Sequence, residues 1–195
     1  MEHDRRRHWQ ERHRAGHDPG APSPFVVAAL ALLGAPPGRR RALDLACGRG
    51  RHALLLAELG YQVDAVDFSL PALTTLRRRA AARQLDVRCL AADVGAWPLP
   101  TGRYALVVVV NFLDRSIFPA LRAAVAPGGA LIYETHGRTA GAVPAVRPEF
   151  CLEPGELDAL CGGWEVLLRR DDETLDRDGH ARRFGILARR PSSAH

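Results

Sequence analysis

The sequence predicts an α/β fold built on a doubly wound, mostly parallel seven-stranded sheet with an antiparallel edge hairpin, and three observations carry that prediction. Short aliphatic segments alternate with segments of helical apolar spacing along most of the chain, the pattern that produces strand-helix-strand crossovers. Tyr104 to Val110 holds five aliphatic residues in succession, which suits a strand buried on both faces in the middle of a parallel sheet. The last two strand-like segments flank a polar, turn-rich stretch, so the chain closes on a hairpin.

Each element follows from local chemistry. Residues 1–22 are polar and broken by Gly and Pro, with Trp9 the one large apolar side chain, and read as a tail or flap. Ser23 and Pro24 open a helix to Leu33, stopped by Gly34, Pro36 and Pro37. Arg41 to Leu45 is a strand, Cys47 to Gly50 a glycine loop, and His52 to Leu59 a helix ended by Gly60. Gln62 to Asp67 alternates as a strand, Ser69 and Pro71 start a helix reaching about Gln84, and Val87 to Ala91 is the next strand. After Tyr104 to Val110, Ser116 caps a helix to Ala126, Pro127 to Gly129 breaks the chain, and Ala130 to Thr135 is a strand. Glu153 to Cys161 reads as the final helix, and Trp164 to Arg169 with Arg182 to Ala188 form the hairpin. The reading is one domain over residues 23–190 with a disordered end at 191–195, since 195 residues can support one sizeable core.

Charge and cysteine content narrow the function classes. The net charge is +5, yet all 27 basic residues are arginine. They sit in short runs scattered among acids, a pattern of GC-rich coding that argues against a nucleic-acid partner. Cys47, Cys89, Cys151 and Cys161 show no paired spacing for zinc or redox chemistry, so no metal is expected and the thiols read as reduced and cytoplasmic. The arginines ahead of Phe25 imitate a secretion signal, but Glu2, Asp4, Glu11 and Asp18 precede the apolar stretch and helix-start residues open it. No run approaches the ~20 apolar residues of a membrane span.

The chemistry concentrates at strand ends. In Leu43-Asp44-Leu45-Ala46-Cys47-Gly48-Arg49-Gly50-Arg51-His52 a strand ends in a carboxylate and turns through glycines into a helix. Gly48 and Gly50 would let a ligand approach the backbone, and with Ala53 they also satisfy a dinucleotide fingerprint, Asp67 standing near the distance expected for a ribose contact. A nicotinamide-dependent oxidoreductase is therefore the rival reading. Asp44 opposes it, because a carboxylate there repels pyrophosphate and attracts a cation. Asp67 can accept two ribose hydroxyls, and Asp93 can accept from an adenine amino group. The plainer alternative is that Asp44 caps its turn and Asp67 caps the helix at Ser69.

These residues resemble the class I S-adenosylmethionine-dependent methyltransferases across roughly residues 41–136. Asp44-Leu45-Ala46-Cys47-Gly48-Arg49-Gly50-Arg51, Gly60 to Ser69 and Leu152-Glu153-Pro154-Gly155-Glu156-Leu157 are similar to the tellurite-resistance methyltransferase group. The resemblance implies a Rossmann-like fold, S-adenosylmethionine as cofactor, and cofactor contacts at Asp44, Ala46, Gly48, Gly50, Asp67, Phe68, Asp93, Val94 and Asn111. Ala46 stands where the family has its first loop glycine. Arg51, His52, Glu134 and His136 are the candidate catalytic residues, with a solvated face the alternative for the first two. The cluster Arg51, His52, Arg115, His136 and Arg138 suggests a small anionic or soft acceptor, such as a metalloid oxyanion or a thiol. A non-catalytic protein that binds an adenosyl ligand is the second rival. Oligomeric state is not legible in the sequence.

Overall fold

The computed structural model describes residues 20–138, 147–171 and 183–192. Trp9 and residues 1–19 of the tail expected over 1–22, like residues 193–195, lie outside them. The seven strands form one mixed sheet in the order β3-β2-β1-β4-β5-β7-β6. Two compact units are described in turn, one of Ala35–Trp97 with the residues up to Ser23, the other of Pro24–Gly34 and the chain from Pro98 onward.

In the first unit, β1 (Arg41–Leu45), β2 (Gln62–Asp67) and β3 (Val87–Ala91) are parallel, and all three keep the expected boundaries. Leu43, Leu45, Ala65 and Val66 are fully buried, while β3 is the partly exposed edge. Helix α2 (Arg51–Glu58) follows β1, and α3 (Leu70–Ala82) follows β2. Ser69 caps α3, its hydroxyl accepting from the Ala72 N–H at 3.4 Å, and Pro71 stands in the first turn where no N–H is needed.

The second unit holds α1 (Pro24–Leu33), β4 (Tyr104–Val110), α4 (Phe118–Ala124), β5 (Val125–His136), α5 (Glu156–Leu160), β6 (Glu165–Asp171) and β7 (Arg183–Arg189). β4 pairs parallel with β5, and β7 runs antiparallel to both β5 and β6, which is the closing hairpin the sequence predicts. Val107, Val108 and Val109 of β4 are fully buried, as their unbroken aliphatic run requires. Phe25 of α1 lies on β7 where Gly185 makes room; a Cβ there would stand 2.9 Å from the ring.

Expected boundaries move by one or two residues at several helix and strand ends and by more at three places. Ser116 does not cap the helix after β4: Asp114 accepts from the Ser116 N–H at 3.0 Å and caps a 3-10 turn over Arg115–Ile117, and α4 starts at Phe118. Pro127 to Gly129 does not interrupt β5. It forms an irregularity, with Tyr104 opposite Val125 and Leu106 opposite Ala130, so the extra residues bulge out while pairing resumes on both sides. The last helix starts at Glu156, not Glu153, because Gly155 takes φ +83° and cannot continue a right-handed helix.

Candidate functional site

The loop after β1 forms its turn with two left-handed residues ahead of Gly50. Ala46 has φ 55° and Gly48 φ 55°, so the alanine keeps the backbone conformation that a glycine would adopt freely. The Cys47 N–H donates to the Val66 carbonyl at 3.0 Å, and the Gly50 N–H to the Cys47 carbonyl at 2.9 Å. Gly50, also left-handed at φ 75°, has a second reason to be glycine. A Cβ on it would stand 2.2 Å from Cδ1 of Leu76, which is fully buried on α3. The space the glycine leaves is filled by helix packing, so the sequence argument for ligand approach applies at Gly48 and not on that face of Gly50.

Asp67 is buried at the end of β2 and accepts two backbone N–H groups, from Gly48 at 2.7 Å to Oδ2 and from Ser69 at 2.8 Å to Oδ1. These bonds fix the carboxylate between the glycine loop and the start of α3, and the helix-entry role anticipated as the plainer reading is part of its geometry. Asp44, at the end of β1, is 1% exposed. Its Oδ2 is buried with no hydrogen-bond partner. Burial pushes its carboxyl up to about 7, a backbone N–H bond from Ala53 opposes the shift, Asp67 adds to it, and Arg51 opposes it. A buried acceptor left without a donor is uncommon and costly. It fits an ammonium group and would repel a phosphate. Phe68 is half-buried, Val94 is buried, and Asp93 is half-buried with Oδ1 accepting from the Gly95 N–H at 3.2 Å.

Arg51 and His52 are both engaged with the chain just ahead of α1. The Ser23 N–H donates to His52 Nε2 at 3.1 Å, and Arg51 donates to the Ala21 carbonyl at 3.1 Å. His52 is 4% exposed, which corrects the alternative of a solvated face for this residue: the imidazole is a buried acceptor that anchors backbone.

In the second unit, Glu134 is fully buried on β5 and accepts from Arg183 Nε at 3.0 Å and Arg170 Nη1 at 3.2 Å. Arg183 also donates to Asn111 Oδ1 at 2.5 Å, and Asn111 takes φ 58° at the end of β4. The Asn111 amide oxygen is thus bonded within its own unit. Alternation along β5 puts His136 on the face of Glu134. Its Nδ1 is buried without a partner, and desolvation, then Arg183, lower its pKa below 6.5 against the pull of Glu134. Arg170 and Arg183 were invisible to sequence reasoning. They reach Glu134 only through the antiparallel register, in which Glu134 lies opposite Gly185 and Arg170 opposite the same glycine.

The positive cluster expected around an acceptor is largely committed elsewhere. Arg115 makes a two-pronged pair with Glu156 at 2.6 and 2.7 Å and donates to the carbonyls of Glu149 and Cys151. Arg138 pairs with Glu153 at 2.6 Å. These arginines tie the segment around α5 to the chain after β4 and β5, a contact that spacing along the sequence does not reveal.

The family described as a methyltransferase domain matches residues 42–129. The chain is 43% identical over 110 residues to a demethylmenaquinone methyltransferase of Thermus thermophilus, covering 53% of this chain and 49% of that protein. It is 34% identical over 162 residues to a malonyl-[acyl-carrier protein] O-methyltransferase of Pseudescherichia vulneris, covering 78% of this chain and 53% of the relative. The chain spans about half the length of the curated relatives it matches. Among solved structures, TehB from Haemophilus influenzae superposes with a TM-score of 0.75 at 22% identity, over 93% of this chain and 67% of that one, a likeness of fold. Over residues 42–129, which hold Asp44, Asp67 and Asp93, the chain is thus similar to a methyltransferase domain, and its fold is similar to that of TehB.

Proposed function

We propose that this protein is an enzyme that transfers a methyl group from S-adenosylmethionine to a small-molecule acceptor, with residues 23–190 acting as one methyltransferase domain. The observation that carries the reading is Asp44, a buried strand-end carboxyl whose Oδ2 lacks a donor. An ammonium group supplies that donor. The cofactor, when bound, brings a methyl group already activated on a sulfonium, so the protein's task is to hold, orient and desolvate. Asp44 would hold the amino-acid end. Asp67, its carboxylate fixed by two N–H bonds, would accept the ribose hydroxyls. Phe68, Asp93 and Val94 would border the adenine, and Ala46, Gly48 and Gly50 would shape the loop beneath it. We assign Asn111 to the same set from the family resemblance, with Arg183 holding its side chain.

For the acceptor, we favour a small soft nucleophile such as a thiol over a metalloid oxyanion. Arg115 and Arg138, the side chains expected to hold an anion, are bound to glutamates. His136 is the candidate base, since its burial favours the neutral form that can take a proton from a thiol. Glu134 fits a role of positioning, as it is clamped by two arginines. The four cysteines are unpaired, which suits a cytoplasmic setting. No helix among the described residues is long and apolar enough to cross a membrane.

Calorimetry with S-adenosylmethionine and with NAD tests the cofactor. A labelled-methyl screen over thiols, selenium and tellurium oxyanions, phenols, amines and RNA then tests the acceptor. Binding of NAD alone would overturn the cofactor assignment. Binding of S-adenosylmethionine without turnover on any acceptor would favour a non-catalytic adenosyl-binding protein, and turnover only on neutral amines, phenols or RNA would overturn the acceptor class.

A further inference from the structure

We propose that Asp44 keeps its proton until the ammonium group of S-adenosylmethionine arrives, and gives that proton to solvent as the ion pair forms, so that cofactor capture releases one proton. The inference rests on the cofactor reading above and adds to it a linkage that the reading does not require.

The geometry comes first. Asp44 is 1% exposed, Oδ2 has no donor, and the other strand-end carboxylate, Asp67, lies close enough to disfavour a second charge. Asp67 is the member of this pair with two backbone N–H donors, so the negative charge is better placed there. The groups of this unit that act on Asp44 are few. Arg51 on α2 and the Ala53 N–H favour the charged form; Asp67 on β2 opposes it. The Cys47 thiol in the adjoining loop is buried and pushed well above its ordinary value, partly by Asp44 and Asp67, so it brings no charge at neutral pH. Against this set burial dominates, and the carboxyl titrates at about 7. A protonated carboxyl also needs less solvation than a buried carboxylate would.

The step balances simply. The Asp44 O–H bond breaks, the proton passes to buffer, and the carboxylate left behind accepts from the ligand's ammonium. Below pH 7 the ligand's amine is already protonated, since an α-amino group titrates near ~8, so it contributes no opposing proton uptake.

The test uses the full-length protein and S-adenosylmethionine as the probe. Titration calorimetry at pH 6.0 in three buffers of different ionisation enthalpy reads the number of protons exchanged. With the carboxyl at about 7, about 0.9 proton should be released per bound ligand. From pH 6.5 to 5.5 the dissociation constant should rise about eightfold by the same titration. Asp44→Asn mimics the neutral carboxyl, and its binding should be weaker, with no proton released and a flat profile over this range. Thermal unfolding of the variant at pH 6.0 checks that it folds; if it does not, the wild-type buffer series decides alone. Binding with heats independent of buffer at pH 6.0, or undiminished proton release in Asp44→Asn, would overturn the linkage and leave the cofactor assignment intact. Absence of binding at every pH would instead remove the cofactor reading and the linkage together.

Discussion

Replacing Gly50 with alanine separates two explanations of the glycine loop. If Gly50 is glycine only for a ligand's sake, the protein without cofactor should tolerate the added methyl group. The structure places that methyl 2.2 Å from Cδ1, 2.6 Å from Cδ2 and 2.8 Å from Cγ of Leu76, all far inside contact distance. Leu76 has no exposed surface, so it has no open side toward which to swing. Overpacking of this kind costs about 1–3 kcal/mol. The backbone at φ +75° adds about 1–2 kcal/mol for any residue with a Cβ. Gly50→Ala should therefore destabilise by roughly 2–5 kcal/mol on these two scales, read by urea unfolding without cofactor. A double-mutant cycle isolates the clash. Leu76→Ala alone loses its own burial, but in the Gly50→Ala background it also removes the overlap, so the two changes together should cost about 1–3 kcal/mol less than their sum. A Gly50→Ala loss below about 1 kcal/mol, or strict additivity with Leu76→Ala, would refute the packing argument.

Other consequences are as direct. Asp67→Ala removes a charged acceptor from ribose hydroxyls and should weaken S-adenosylmethionine binding by about tenfold to a hundredfold, or about 1.5–3 kcal/mol; unchanged calorimetric affinity in the folded variant would withdraw Asp67 from the ribose. Ala46→Gly relieves the left-handed strain and should stabilise by up to about 1 kcal/mol after the added chain entropy, and a lower melting temperature would count against it. Glu134→Gln should cost roughly 1–3 kcal/mol, less than a fully buried pair because Arg170 and Arg183 can regain water; a neutral outcome in urea melts would show that the clamp holds little. For Asp44 the folded-state value lies above the unfolded one near 3.8, so the unfolded chain loses its proton first and stability falls as pH rises from about 4 to about 7. Asp44→Asn should flatten that decline, and an unchanged difference between pH 5 and pH 8 melts would refute the burial argument.

Much of this architecture is local, which is why the sequence determines it. An aliphatic run long enough to be buried on both faces, as in Val107 to Val109, has few other places to go, and glycines or prolines beside it mark where the chain turns. β1, β2, β3 and β4 were accordingly legible to the residue. The places of Asp44, Asp67 and Asp93 at or just beyond the ends of β1, β2 and β3 were legible too, at the end of a parallel sheet where ligands of such folds bind. Tertiary structure decided what spacing could not. It filled the space beside Gly50 with Leu76, turned His52 inward to hold Ser23, and bound Arg115 and Arg138 to Glu156 and Glu153. It also set Arg183 against Glu134 across 49 residues of chain. A side chain's charge is fixed by its type, but whether that charge is free for a ligand depends on which partner the fold brings within about 3 Å, and that distance is set by register and packing far along the chain.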